Sequence, residues 1–293
     1  MPIQWFPGHM TKARREIAES ISSNDLIIEV LDARMPRASE NPLVAEMRGQ
    51  KPCLKVLSKS DLADPDATAR WIRWFETERA EVSKRYPDGN VRVAALRTDR
   101  PGETRRLVPE LARKLAPHRV GPGKSVRALV VGIPNVGKST LINTLAGRKA
   151  AKTGDRPAVT RGRQHVETEL GLSLWDNPGI MWPNITSDAA SHRLALGGAI
   201  PDTALEYENV ALFGAKFLLE RYPQLLRARY KLEALPETAA ALLGEIGRKR
   251  GALRAGGIID LHKAADVLIH DFRSGALGRI SLEVPPEPSP AAG

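Results

Sequence analysis

Residues 132–140 read Gly132-Ile133-Pro134-Asn135-Val136-Gly137-Lys138-Ser139-Thr140, a spacing of two glycines and a Lys-Ser pair that suits the holding of phosphate. The apolar run Ala128-Leu129-Val130-Val131 predicts a buried strand before it, and Thr140, Leu141, Ile142 and Leu145 predict a helix after it. A strand that ends in a Gly-rich turn and opens a helix aims successive backbone N–H groups and a helix N-terminus at one point. Asn135, Val136, Gly137, Lys138, Ser139 and Thr140 are the expected cradle. The Lys138 ammonium would reach the β- and γ-phosphates, for binding and for chemistry, and the Ser139 hydroxyl would ligate Mg²⁺. A nucleoside triphosphate with its metal is the expected ligand.

Such a site needs a base reader. Ser58-Lys59-Ser60-Asp61 follows the apolar run Cys53-Leu54-Lys55-Val56-Leu57 and resembles the Asn-Lys-x-Asp motif of GTPases. In that motif the Asp accepts hydrogen bonds from guanine N1 and the exocyclic amine, and the Lys stem packs on the base. Asp61 and Lys59 would fill these roles, with Ser58 replacing the usual Asn and able to make fewer hydrogen bonds. By itself, Lys-Ser-Asp before Pro65 reads as a helix-capping turn; the company of the phosphate loop favours the base reader. A strand at Val91–Ala95 is placed to add base contacts at Ala94, Ala95 and Leu96.

Downstream, Pro157-Ala158-Val159-Thr160 and Asp176-Asn177-Pro178-Gly179 resemble the two GTPase switches. The resemblance implies that Thr160 completes the Mg²⁺ shell, that Asp176 holds a metal-bound water and that the Gly179 N–H touches the γ-phosphate. The order is unusual, because the base reader precedes the phosphate loop and the switches. This is a circular permutation, and it leads the second switch straight into the C-terminal region.

Together with Gln4-Trp5-Phe6-Pro7-Gly8-His9-Met10, Asp32-Ala33-Arg34 and Arg221-Tyr222-Pro223, these motifs resemble the ribosome biogenesis GTPase A family over nearly the whole length. The resemblance implies a circularly permuted GTPase, with GTP/GDP and Mg²⁺, that acts in late assembly of the bacterial large ribosomal subunit and contacts its RNA and proteins. Ile180 stands where many GTPases have a Gln that orients water. Another group must then assist hydrolysis, and two are implied. His9 corresponds to a family residue proposed to enter the site on the ribosome, where a neutral imidazole could accept from water; without a partner it reads as a solvated side chain. Asn135 corresponds to a K⁺-binding residue in related GTPases, and reads equally well as a turn former after Pro134.

Six strands are expected near residues 25–32, 52–57, 91–96, 126–132, 164–169 and 171–176, with helices between several of them. That alternation predicts an α/β fold with a mostly parallel sheet. From Ser187 onward the spacing turns helical, which divides the chain into a GTPase domain at 1–183, a helical RNA- or ribosome-binding domain at 184–282 and a disordered tail at 283–293. The 44 Lys and Arg against 34 Asp and Glu, a formal charge of +10, favour a polyanionic partner. Aromatic residues make up only 5%, so folded RNA held by its phosphates suits the chain better than stacked single strands. Basic clusters at Lys12-Ala13-Arg14-Arg15, Arg105-Arg106, Arg113-Lys114, Lys149 to Arg163, Arg227 to Lys231 and Arg248-Lys249-Arg250 are candidates for that contact, though each alone reads more simply as a solvated helix face. With Cys53 alone there is no intramolecular disulfide, and no apolar stretch is long enough to span a bilayer. A monomer in the cytoplasm is expected. Competing readings are an RNA-binding module merely gated by GTP and, less well supported, a phosphate-loop kinase.

Overall fold

The computed structural model describes residues 18–78, 90–148, 164–176, 187–200 and 206–286. They form two compact units, one built on a sheet and including residues 283–286, the other lying within Ile185–Leu282.

The sheet has strands β1 (Leu26–Asp32), β2 (Cys53–Ser58), β3 (Val91–Ala95), β4 (Val126–Val131), β5 (Gln164–Glu167) and β6 (Leu172–Asp176) in the order β3-β2-β1-β4-β6-β5. All neighbours are parallel except β5, which pairs antiparallel with β6. The strands run where the apolar segments predict them. The intervening helices are α1 (Pro42–Arg48), α2 (Pro65–Arg73), α3 (Pro101–Leu115) and α4 (Lys138–Ala146). Their starts are set locally: Asn41 caps α1 through the Leu43 N–H, Asp64 caps α2 through the N–H groups of Asp66 and Ala67, and proline follows each cap.

Both faces of β1 and β2 are buried, which explains their near-continuous apolar sequences. One face carries an unexpected polar interruption. Glu29 pairs in register with Lys55, and the Lys55 ammonium lies 2.5 Å from Glu29 Oε2, 2.7 Å from Glu40 Oε1 and 5.0 Å from the centre of the Phe75 ring. All three charged side chains are buried. This triad separates an apolar cluster around Leu31, Leu57, Trp71, Trp74 and Phe75 from a second around Ile27, Val44, Cys53 and Leu129.

The second unit contains α5 (Asp188–Leu196), α6 (Tyr207–Arg221), α7 (Pro223–Tyr230), α8 (Ala239–Arg250) and α9 (Leu261–Ser274). The buried faces of α6, α8 and α9 present Val210, Ala211, Leu218, Leu242, Ile246, Ala265 and Leu268, matching the helical spacing. A bidentate Arg229–Asp271 pair at 2.8 and 2.6 Å ties α7 to α9.

Residues 283–286, which the expected disordered tail includes, are among the described residues and are held in place. Glu283 Oε1 accepts the Ala38 N–H at 2.9 Å and the Glu283 carbonyl accepts from Trp71 Nε1 at 3.2 Å, so polar anchors that composition does not reveal hold the start of this segment to the sheet unit. Residues 287–293 lie outside the described residues.

Removing Lys55 would leave two buried carboxylates without their cation. Lys55→Met is expected to cost about 3–5 kcal/mol of stability, and replacing Glu29, Lys55 and Glu40 together by apolar residues should recover most of it. Urea denaturation of the two variants checks this, and equal losses would show that the triad acts by shape rather than by charge.

Candidate functional site

Five parallel strands running one way put all their C-terminal ends at one edge, so Asp32, Ser58, Ala95, Val131 and Asp176 share that edge. The chain first builds outward from β1 to β2 and β3, then crosses to place β4 on the other side of β1. In open α/β sheets the crevice at such a reversal is where ligands bind. The 132–140 loop leaves β4 at this place.

Its path demands glycine twice. Gly132 has φ 154° and a Cβ there would lie 2.5 Å from the Val30 carbonyl oxygen. Gly137 has φ 103°, caps α4 and sits against Ser58. The loop turns through Asn135 at φ 56°, a left-handed conformation that Asn tolerates. Asn135 and Ser139 are half-buried and Thr140 is exposed. Lys138 is buried and folds back to donate to the carbonyls of Gly132 at 3.1 Å and Ile133 at 2.8 Å. These bonds hold the ammonium at the loop and leave one of its three protons for a ligand.

Asp176 ends β6 fully buried, with neither carboxylate oxygen hydrogen-bonded among the described residues. Burial pushes its pKa up to about 6 against the pull of the Lys138 charge. Burial likewise lowers Lys138 to about 8, with Asp176 working the other way. A buried carboxylate with unused lone pairs beside a phosphate loop fits a water on Mg²⁺, which keeps much of its hydration shell in proteins.

The Ser58–Asp61 segment is fastened to its neighbours. The Ser58 hydroxyl faces the carbonyls of Leu31 at 2.9 Å and Val136 at 2.5 Å, so its proton ties β2 to β1 and the phosphate loop. Lys59, at φ 55°, extends its ammonium to Asp32 Oδ2 at 3.0 Å. Ser60 N–H donates to the Leu96 carbonyl, Leu96 N–H to the Leu57 carbonyl, and Asp61 Oδ1 accepts from Thr98 N–H. Ala94, Ala95 and Leu96 thus lie directly beside Ser58–Asp61. The N-cap of α2 is Asp64 rather than Asp61. Asp32 and Arg34 were not singled out in the sequence as site residues, although an acid ending a strand beside the lysine motif was the available signal. His9, Thr160, Asn177, Pro178, Gly179, Ile180 and the basic clusters at 12–15 and 149–163 lie outside the described residues.

The other basic clusters divide into two kinds. Arg105 donates to the Thr144 and Leu145 carbonyls at the end of α4, Arg113 to Leu170, Arg227 to Leu232 and Glu233, and Arg229 pairs with Asp271. Arg250 stacks 5.5 Å from the Tyr230 ring centre and lies near Asp271. These guanidinium groups serve the fold. Arg248, paired with Glu245, and Lys249 are exposed beside a cavity of about 490 Å³ formed with Leu232–Pro236.

The Ser58–Asp61 segment, then the 132–140 phosphate loop, then Asp176 reach one sheet edge in that chain order, the arrangement of a circularly permuted P-loop GTPase. The protein family described as 50S ribosome-binding GTPase matches residues 127–214. Ribosome biogenesis GTPase A of Bacillus licheniformis is 44% identical over 97% of this chain and 99% of its own. YlqF in its GDP-bound form superposes with a TM-score of 0.66 at 26% identity, covering 92% of this chain and 99% of that one; GNP-bound YlqF from T. maritima gives 0.64 at 27%, covering 93% and 98%. The chain belongs to the ribosome biogenesis GTPase A family, and it is a GTPase that takes GTP and GDP.

Asp176→Asn removes a buried, unpaired charge. The nucleotide-free variant is expected to be more stable than the wild type by about 1–3 kcal/mol at pH 7. Thermal melting without Mg²⁺ tests this, and a lower melting temperature would mean that Asp176 already has compensating partners in the empty site.

Proposed function

We propose that this chain binds the large ribosomal subunit in its GTP state, promotes a late step of its assembly and leaves after hydrolysis. Support comes from family membership, from relatives named as ribosome biogenesis GTPases and from one observation about connectivity. In the sequence only residues 177–187 stand between Asp176, the switch aspartate of this reading, and α5 of the helical unit, which starts at Asp188. A change at the γ-phosphate therefore has a short covalent route to the surface that would meet the subunit.

In this reading Asn135, Val136, Gly137, Lys138, Ser139 and Thr140 hold the phosphates, and Lys59 and Asp61 read guanine with Ala94, Ala95 and Leu96 beside them. Ser58 and Ser60 fix the reader in place. Mg²⁺ would be held by Ser139, Thr160 and, through water, Asp176, and would neutralise phosphate charge. The Gly179 N–H would register the γ-phosphate. With Ile180 unable to orient water, either His9 or K⁺ at Asn135 assists hydrolysis. Ile180 also supports a second reading, an RNA-binding module gated by GTP with incidental hydrolysis. In the helical unit, Arg248 and Lys249 are the members of their cluster suited to RNA phosphate, since Arg250 is engaged with Tyr230 and Asp271.

Asp61→Asn should move base preference from guanine toward xanthine, because an amide can donate to the xanthine 2-oxo group; competition binding that still favours guanine would remove Asp61 from the reader. Co-sedimentation tests the partner. The protein should pellet with large subunits in a non-hydrolysable GTP analogue and far less in GDP, and Arg248→Ala with Lys249→Ala should weaken that binding and reduce its salt dependence by up to roughly 0.7–0.9 log units per lost phosphate contact. Nucleotide-independent pelleting would contradict the proposed cycle.

A further inference from the structure

Asp32 ends β1 in register with Ser58, the residue before Lys59. Its carboxylate is buried and makes four contacts: Oδ1 accepts from the Arg34 N–H at 3.0 Å and from Arg34 Nε at 2.9 Å, while Oδ2 accepts from Arg34 Nη2 at 2.8 Å and Lys59 Nζ at 3.0 Å. The Asp32 N–H donates to Ser39 Oγ at 3.0 Å, and Ser39 donates back to the Met35 carbonyl at 2.8 Å. The acid is therefore held by its own turn before any other element touches it.

Two cations on one carboxylate are more than charge balance requires. The bidentate Arg34 guanidinium, whose side chain is 1% exposed, already neutralises Asp32 in the interior. The Lys59 side chain is 22% exposed, at the sheet edge beside the phosphate loop, and its charge reinforces a neutralisation that Arg34 already leads. What the pair adds besides is position. Lysine carries its charge on a flexible four-carbon stem, and anchoring the far end fixes the whole stem across the mouth of the site. A surface ordered before binding does not lose that freedom when the ligand arrives.

We infer that Asp32, braced by Arg34, is a positioning residue for guanine recognition, clamping the Lys59 ammonium so that the lysine stem is already laid out as the platform on which the base rests. This rests on the base-reading role proposed for Lys59 and Asp61. It gives Asp32-Ala33-Arg34 a task distinct from phosphate binding: the clamp serves GTP and GDP alike, because it acts on the base that they share. It also explains why Lys59 adopts a left-handed backbone at φ 55°, a conformation uncommon for lysine, since the turn must bring the stem back toward the end of β1.

The test is a double-mutant cycle on the full-length protein, with equilibrium binding of GDP and a non-hydrolysable GTP analogue. Asp32→Asn is expected to weaken both nucleotides about tenfold and equally. Lys59→Met, which keeps an unbranched apolar stem but no ammonium, should weaken them similarly. In the Lys59→Met background Asp32→Asn should cost almost nothing more, because the clamp has nothing left to hold. Asp32→Glu preserves the buried charge, and by misplacing it should give a smaller loss that also vanishes in the Lys59→Met background; it carries the cycle if Asp32→Asn does not fold. Equal losses in both backgrounds would overturn the proposal in favour of a general structural role, and so would unchanged affinity in Asp32→Asn. The base-reading role is judged separately by Asp61→Asn. Failure of that variant to gain xanthine affinity would overturn the reader and the clamp together, whereas a successful switch combined with additive Asp32 and Lys59 effects would overturn the clamp alone.

Discussion

The approach of the phosphate loop to the backbone of β1 is the contact on which the rest of this site depends. At Gly132 the loop comes so close to the Val30 carbonyl that a Cβ would sit 2.5 Å from its oxygen. No side chain can occupy that space, and the glycine lets the chain turn sharply off β4 over the end of β1. From this crossing follow the return of Lys138 to the Gly132 and Ile133 carbonyls, the seating of Gly137 against Ser58, and the bond between Ser58 and Val136. The end of β2 and the phosphate loop are thus joined beside the end of β1, although about 75 residues separate them in the chain.

Charge is managed differently inside and at the edge of the sheet. Glu29, Lys55 and Glu40 are paired with one another, and Asp32 is enclosed by Arg34 and Lys59, whose cations outweigh the effect of burial and hold its carboxyl well below the usual range. Asp176 is the contrast. It is equally buried, yet its oxygens have no hydrogen-bond partner among the described residues and burial raises its pKa. A fold that satisfies its other interior acids but leaves this one at the mouth of the phosphate loop has concentrated an electrostatic cost where a metal–triphosphate complex can relieve it.

Much of this was readable from sequence because local signals agreed. Apolar runs bounded by Gly, Asp and Pro marked the strands, and the motifs fell at their ends, where a parallel sheet gathers them. The Lys55 triad was hidden because two of its members look like interruptions of apolar strands, and only the register between β1 and β2 pairs them. Arg105, Arg113, Arg229 and Arg250 looked like solvated charge in one dimension, but their targets are carbonyls and an acid that folding brings near. Composition likewise did not reveal the Glu283 bonds to Ala38 and Trp71, whose partners lie more than 200 residues away in sequence.

The central claim is that this site is built for hydrolysis completed on a ribosomal partner. Its most direct test is single-turnover GTP hydrolysis with Mg²⁺, in the absence and presence of purified large subunits. With Ile180 unable to orient water, the account predicts slow turnover alone and acceleration of about a hundredfold or more on large subunits, with small subunits having little effect. The same slow rate under all three conditions, with triphosphate-dependent binding intact, would contradict it and leave a GTP-gated binding protein.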